Sequence, residues 1–149
     1  MSGLVESAAT GDPRHYAIRV RVYYEDTDAG GIVYHATYLR WMERARTDWL
    51  RALGERHDAL AEREGLQFVV SAIDIRYLRP ARLDELLDVD LEVIEVRRAS
   101  LRLAQRTRRA DDADGPPLAD ATVRVAVMDR RSGRPAALPR RLLDTLGAA

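Results

Sequence analysis

Residues 17–54 read AIRVRVYYEDTDAGGIVYHATYLRWMERARTDWLRALG. Over residues 17–23, apolar side chains alternate with arginines, which is the two-residue period of a half-buried strand. After a polar segment with two adjacent glycines, apolar residues recur three and four positions apart as far as Gly54. This is the spacing of a helix that stops at a glycine, and we expect that helix to begin near His35 or Thr37. The segment therefore predicts a strand, a glycine-bearing loop and one long helix.

Four more strands and a second, shorter helix are predicted downstream. The helix is expected over residues 57–64, and the strands over residues 67–78, 86–96, 100–108 and 118–128. A cluster of Asp, Gly and Pro between the last two strands predicts a hairpin loop. One helix packed on one face of a five-stranded, largely antiparallel sheet buries these apolar stripes economically. We therefore predict an α+β fold.

Length and composition predict a single domain. The chain has 149 residues, 46% of them hydrophobic, which is enough to bury a core without disulfides or metals. Residues 1–15 lack a basic start and an apolar run, so we expect a flexible tail there and one domain over residues 16–149. Apolar residues on the predicted outer face of the sheet, namely Val70, Ile94 and Met128, favour a homodimer or homotetramer.

The composition also excludes several classes of function. The 24 Lys and Arg balance the 24 Asp and Glu, giving a net charge of 0 at pH 7, so no long-range field attracts nucleic acid or an acidic membrane. The absence of cysteine excludes a thiol nucleophile and a Cys-ligated metal site. No apolar run approaches the roughly 18 residues that cross a bilayer. We therefore expect a cytoplasmic protein that neither spans a membrane nor binds nucleic acid.

Chemically capable side chains are densest between the first strand and the long helix, over residues 23–38. Asp28 stands just before Ala29, Gly30 and Gly31, where the backbone can turn sharply and its amides can approach a ligand. The helix start that follows offers free backbone N–H groups and the positive end of a dipole, which suits an oxygen that gains negative charge. A carboxylate beside such an oxyanion site indicates acyl transfer.

Three segments of the chain resemble a known protein family, namely Val20–Leu50, Phe68–Val89 and Arg134–Pro139. They resemble the hotdog-fold acyl-CoA thioesterases of the 4-hydroxybenzoyl-CoA thioesterase superfamily, and the nearest branch is the Tol-Pal-associated YbgC type. The resemblance implies a long helix wrapped by an antiparallel sheet, with active sites between two subunits. It also implies hydrolysis of acyl-CoA to a carboxylic acid and CoA, without a metal or redox cofactor.

The resemblance implies roles for two catalytic residues. Asp28 matches the family's catalytic carboxylate, acting either as nucleophile on the thioester carbonyl or as general base for water. The backbone N–H of His35 matches the donor to the thioester oxygen, while the His35 side chain is expected to orient the substrate or relay a proton. No Ser-His-Asp relay is required, because the thiolate of CoA is a good leaving group.

Four further residues are candidates for substrate binding. The resemblance implies that Tyr24 and Tyr34 line the acyl pocket. Gly31 lets the backbone approach the ligand closely. Arg82, in a turn at the end of a strand, is a candidate for holding the CoA phosphates, and a solvated surface position is the alternative.

Alternatives stay open at several of these positions. Glu43, in the middle of the helix, is the second candidate for the catalytic carboxylate. Glu25 and Asp26 are expected to be solvated or paired with arginines, and the Asp26-Thr27-Asp28 pattern lacks the nucleotide-binding sheet that a metal site of this kind needs. A hotdog hydratase is disfavoured, since its helix motif is absent. A noncatalytic acyl-carrier or envelope-assembly module is the alternative function, and acyl carrier protein is a possible partner.

Overall fold

The computed structural model describes residues 5–9 and 11–147. These residues form one six-stranded antiparallel sheet and three helices. The strands are β1 Val5–Ala9, β2 His15–Arg21, β3 Leu66–Tyr77, β4 Leu86–Val96, β5 Ser100–Arg109 and β6 Ala119–Asp129. The helices are α1 His35–Ala52, α2 His57–Glu64 and α3 Arg140–Leu146.

The order of strands in the sheet is β1-β2-β4-β5-β6-β3, and α1 packs on one face of it, against β2 and β4. The structure confirms the first predicted strand, both predicted helices and the four later strands. Their ends are shifted by no more than two residues. The predicted α+β architecture, a long helix wrapped by a largely antiparallel sheet, is confirmed as well. No helix of the described residues is long and apolar enough to cross a membrane.

The core lies between α1 and the sheet. Trp41 and Trp49 of α1 are 0% and 1% exposed, and they belong to the same buried cluster as fully buried residues of β4 such as Leu87 and Val89. Burying each such side chain contributes about 1.5–3 kcal/mol before the cost of ordering the chain. The indole N–H of Trp49 donates to the carbonyl oxygen of Pro13 at 2.7 Å. This contact ties the segment before β2 to the helix.

The structure differs from the sequence-based expectation at both ends of the chain. Residues 5–9, expected in a flexible tail, form β1 and pair with β2 in register from Val5↔Val20 to Ala9↔Tyr16. The sheet therefore has six strands rather than five, and His15 already belongs to β2. The rest of the predicted tail, residues 1–4 and 10, lies outside the described residues. Helix α3 was not predicted, and its Leu142 and Leu146 are buried in the core.

Strand β3 forms the long edge of the sheet and carries a bulge between Val70 and Ala72. Residues paired across antiparallel strands share a face, and Val70, Ile73 and Tyr77 pair with residues of β6 that are all buried, namely Val125, Val123 and Ala119. The bulge thus keeps these three side chains on the helix-facing side, although they are 43%, 40% and 44% exposed. The expectation that Val70 lies on the outer face was wrong, because the extra residue shifts the alternation.

Candidate active site

The loop between β2 and α1 holds Asp28 in a tight turn. The backbone N–H of Asp28 donates to the carbonyl oxygen of Ile32 at 2.9 Å, and the N–H of Gly31 donates back to the Asp28 carbonyl at 3.0 Å. The Asp28 Oδ1 atom accepts a third bond, from the N–H of Gly30 at 2.8 Å. The side chain is nevertheless exposed. Its own loop therefore fixes the carboxylate through Oδ1, while Oδ2 has no hydrogen-bond partner among the described residues.

The two glycines of this turn are required for different reasons. Gly31 has φ of +79°, in the left-handed region that other residues rarely adopt. At Gly30 a Cβ atom would lie 3.2 Å from Asp28 Oδ1, so a side chain there would press on the carboxylate. Gly30 is thus needed for a close approach and Gly31 for a backbone conformation.

The N-terminus of α1 follows this turn and is uncapped. His35 and Ala36 are the first two residues of the helix, whose N–H groups have no partner within a helix. None of the hydrogen bonds among the described residues uses these two N–H groups, and the N-cap residue, Tyr34, makes no side-chain cap. Two free donors at the positive end of an 18-residue helix form a site for a developing oxyanion.

Backbone contacts close the loop on itself and anchor it to the segment before β4. The N–H of Tyr34 donates to the Asp26 carbonyl at 2.9 Å, and the N–H of Val33 donates to the Ala81 carbonyl at 2.9 Å. Ile32 forms an isolated bridge with Arg82. These contacts bring the Asp28 turn, the helix start and the turn that carries Arg82 to one end of the molecule.

Asp26 has a structural position that the sequence did not predict. It is 3% exposed rather than solvated, and its Oδ2 accepts a hydrogen bond from the N–H of Tyr23 at 2.8 Å. Burial raises the pKa of this carboxyl above its usual value, and the bond from Tyr23 partly opposes that effect. Asp26 therefore stabilises the conformation of the loop from a buried position.

The described residues contain no group of three or more His, Cys, Asp or Glu side chains placed to hold a metal ion.

Aromatic rings surround the start of α1. The ring of His35 lies 4.4 Å from that of Tyr34 and 6.2 Å from that of Tyr77, centroid to centroid. The Tyr77 hydroxyl donates to the backbone carbonyl oxygen of His35 at 2.8 Å, and partial burial raises the pKa of this phenol. Tyr77 thus holds the first turn of the helix. Sequence reasoning missed it because the contact joins positions 42 residues apart.

The predicted site residues are only partly brought together. Gly31, Tyr34 and Arg82 lie at the same end as Asp28, and the Arg82 N–H donates to Glu85 Oε1 at 2.6 Å while its side chain is exposed. Tyr24 is on the same loop but 82% exposed. Among the described residues, Asp28 and His35 share no hydrogen bond or ion pair, so the structure offers no direct link between the two.

Glu43, the second candidate carboxylate, lies elsewhere. It is eight residues beyond His35 on α1, about 12 Å along the axis at 1.5 Å per residue. There it lines a cavity of about 310 Å³ between the helices and the sheet. Asp28, in contrast, lies at the end of the molecule where α1 begins.

Comparison with known proteins identifies the class of this fold and site. The model of the thioesterase-like superfamily matches residues 22–146, and the chain belongs to that superfamily. The acyl-CoA thioesterase YbgC of Haemophilus influenzae is 46% identical over 125 residues, 84% of this chain and 89% of that protein. The acyl-CoA thioester hydrolase YbgC of Escherichia coli O6:H1 is 44% identical over 124 residues, 83% of this chain and 90% of that protein.

Solved structures agree with this assignment. A probable thioesterase from Bartonella henselae superposes with a TM-score of 0.76 at 34% identity, covering 84% of this chain and 99% of that one. A 1,4-dihydroxy-2-naphthoyl-CoA thioesterase from Synechocystis gives a TM-score of 0.82 at 19% identity, covering 90% and 96% of the two chains, and shows the shared fold alone. The predicted hotdog fold, the resemblance to the YbgC-type branch and the enzyme class, a thioester hydrolase, are confirmed.

Proposed function

We propose that this protein hydrolyses acyl-CoA thioesters to a carboxylic acid and CoA, with Asp28 acting at the thioester carbonyl. The observation that carries the proposal is the exposed Asp28 carboxylate, fixed by its own turn beside the uncapped N-terminus of α1. The names of the relatives from Haemophilus influenzae and Escherichia coli support the acyl-CoA substrate. Acyl carrier protein is the second acyl donor to test, since it presents a thioester of the same kind.

The proposed reaction needs no cofactor. A carboxylate oxygen of Asp28 attacks the carbonyl carbon, or removes a proton from the water that attacks it. The carbonyl oxygen becomes negative and accepts a hydrogen bond from the N–H of His35. The carbon–sulfur bond then breaks and CoA leaves as its thiolate, which takes up the proton that the water molecule loses over the whole reaction. In the first route an acyl-aspartyl anhydride remains, which water hydrolyses to the free acid and the original carboxylate.

The remaining predicted residues have supporting roles in the proposal. The rings of Tyr34 and Tyr24 line the entry for the acyl group. Gly31 has no side chain, so the backbone there can approach the thioester closely. Arg82 contacts the CoA phosphates through its exposed guanidinium. The His35 imidazole orients the substrate or relays a proton to the departing thiolate.

A panel of acyl-CoA compounds tests the activity. We expect the purified protein to release free thiol from at least one of short aliphatic, long aliphatic and aromatic acyl-CoA, as measured with a thiol reagent. A noncatalytic acyl-binding module would bind the compounds without releasing CoA. Failure to release thiol from every class, by protein that sediments as a folded species, contradicts the proposal.

Replacing His35 separates the backbone contribution from that of the side chain. His35→Ala keeps the backbone N–H at the helix start and removes the imidazole. We expect kcat/KM to fall roughly tenfold, since positioning is lost while the oxyanion donor stays. His15→Ala, in β2 beside Glu92, is the control and should be unaffected. Inactivity equal to that of Asp28→Asn, or no loss at all, would show that these roles are assigned wrongly.

We also propose that the active form is a homodimer, or a homotetramer built from such dimers. The edge strand β3 has 12 residues, contains no proline, and presents unpaired backbone groups on one side. Val70, Ile73 and Tyr77 beside that edge are apolar and about two-fifths exposed. A second copy paired along β3 satisfies the backbone groups and covers these side chains.

A further inference from the structure

The cavity of about 310 Å³ beside α1 is lined by apolar and polar side chains. The strands contribute apolar side chains, among them Phe68, Leu103 and Val125. The helices contribute polar groups besides two apolar side chains of α1, and of these polar groups the exposed Glu43 and the half-buried Arg46 are charged. A cavity of this kind fits the end of an apolar chain that carries one polar group.

Arg46 is held in place by a buried amide. Its Nη1 donates to Gln105 Oε1 at 2.9 Å, and Gln105 Nε2 donates to the carbonyl oxygen of Met42 at 3.0 Å. A guanidinium can only donate and a carbonyl can only accept, so these two neighbours fix the orientation of the amide. Gln105 is 0% exposed. The amide and α1 therefore set the position of the guanidinium before any ligand arrives.

The guanidinium has donors left over. It carries five N–H groups, and among the described residues its one hydrogen bond goes to Gln105. Arg46 forms no ion pair with any described carboxylate, and burial lowers its pKa while the charge of Glu43 raises it. A half-buried cation whose donors have no further partner among the described residues is stabilised by an oxygen that accepts a hydrogen bond from it. Glu43 on the same cavity disfavours a second carboxylate and can itself accept from a hydroxyl.

Apolar side chains of β3 lie between this cavity and the start of α1, on the face that the proposed second copy would cover, so an acyl chain there would run between the two subunits. Strand β3 has its Tyr77 end bonded to His35, whereas Val70 lines the cavity. Ile73 lies between them on the same face and is 40% exposed. The distance from His35 to Glu43 along the helix is about 12 Å, comparable to a medium-chain acyl group. An acyl chain whose thioester is at the helix start therefore reaches the cavity with its far end.

We propose that this cavity binds the far end of a medium-chain acyl group and that Arg46 and Glu43 bind a hydroxyl carried there. The hydroxyl accepts a hydrogen bond from Arg46 and donates one to Glu43. The inference rests on the proposed thioesterase function and narrows its substrate class to acyl-CoA with a distal hydroxyl. Arg46 is then the residue that determines specificity for the acyl terminus.

The test compares decanoyl-CoA with ω-hydroxydecanoyl-CoA and with the ω-carboxyl compound. We expect wild-type kcat/KM to be at least about tenfold higher for the hydroxyl compound, because decanoyl-CoA has no hydroxyl to bond to the half-buried charge of Arg46. Arg46→Met should abolish this preference, mainly by raising KM for the hydroxyl compound. Arg51→Met, on the exposed side of the same helix, should keep the preference.

Each outcome decides between the two proposals. If the wild type has equal kcat/KM for decanoyl-CoA and ω-hydroxydecanoyl-CoA, the inference is overturned and the proposed function stands. A preference for the ω-carboxyl compound has the same consequence. A preference that survives Arg46→Met also overturns it. If none of the three compounds nor any of the wider panel is hydrolysed, both proposals fail together. The wild-type ratio needs no variant, so it decides even where Arg46→Met does not fold.

Discussion

Asp28→Asn is expected to lower kcat/KM for acyl-CoA hydrolysis by at least about a hundredfold, the lower end of what removal of a catalytic base costs. An amide neither attacks the carbonyl as a carboxylate does nor takes a proton from water. The side-chain oxygen of asparagine can still accept from the N–H of Gly30, so the turn and the melting temperature should be unchanged. Steady-state release of thiol from a reactive acyl-CoA measures the effect.

Two control variants make this result specific. Asp114→Asn changes an exposed aspartate in the loop between β5 and β6 and should leave activity unchanged. Glu43→Gln changes the other candidate carboxylate, about 12 Å along α1 from the helix start. It should change the selectivity for the acyl terminus and leave the rate of the chemical step unchanged. Asp28→Asn activity within threefold of wild type, or a hundredfold loss in Glu43→Gln instead, contradicts the assignment.

Ile73→Asp is expected to convert the oligomer to monomers at micromolar concentration and to lower activity at least about tenfold. The charge falls on the helix-facing side of the edge strand, where a second copy would bury it unpaired. Sedimentation velocity and the thiol assay on the same samples measure both effects.

Ile94→Asp is the matched control for this variant, because Ile94 is 41% exposed but lies in β4, inside the sheet. It should retain at least the dimer and full activity. If the wild type is a fully active monomer, or if Ile73→Asp sediments as the wild type does, the proposed assembly is wrong.

The regular elements were predictable from sequence because their signals are local. The ends of α2 and β4 coincide with the predicted ones, since a glycine or a cluster of turn residues flanks them. The segment Val5–Ala9 reads VESAA, which has little apolar alternation, and only its pairing with β2 makes it a strand. Helix α3 is short, and its position depends on leucines that reach the core from the end of the chain.

The candidate site was predictable only where its residues are close in sequence. Asp28, the two glycines and the helix start lie within one loop, so their proximity follows from the chain itself. Tyr77 and Gln105 reach α1 from positions 42 and 59 residues away from their partners. The burial of Asp26 results from packing that the local sequence pattern does not predict. All of these contacts depend on the tertiary fold, so the sequence alone does not predict them.

The two edges of the sheet differ in length, and this difference limits how far copies of the chain can assemble. Strand β3 offers 12 residues at one edge, whereas β1 offers five at the other. When two copies pair through β3, the joined sheet ends in β1 on both sides. A strand this short is a poor template for a further chain. The proposed pairing about a two-fold axis is therefore self-terminating, and an assembly made through β3 is a closed particle rather than a growing fibre.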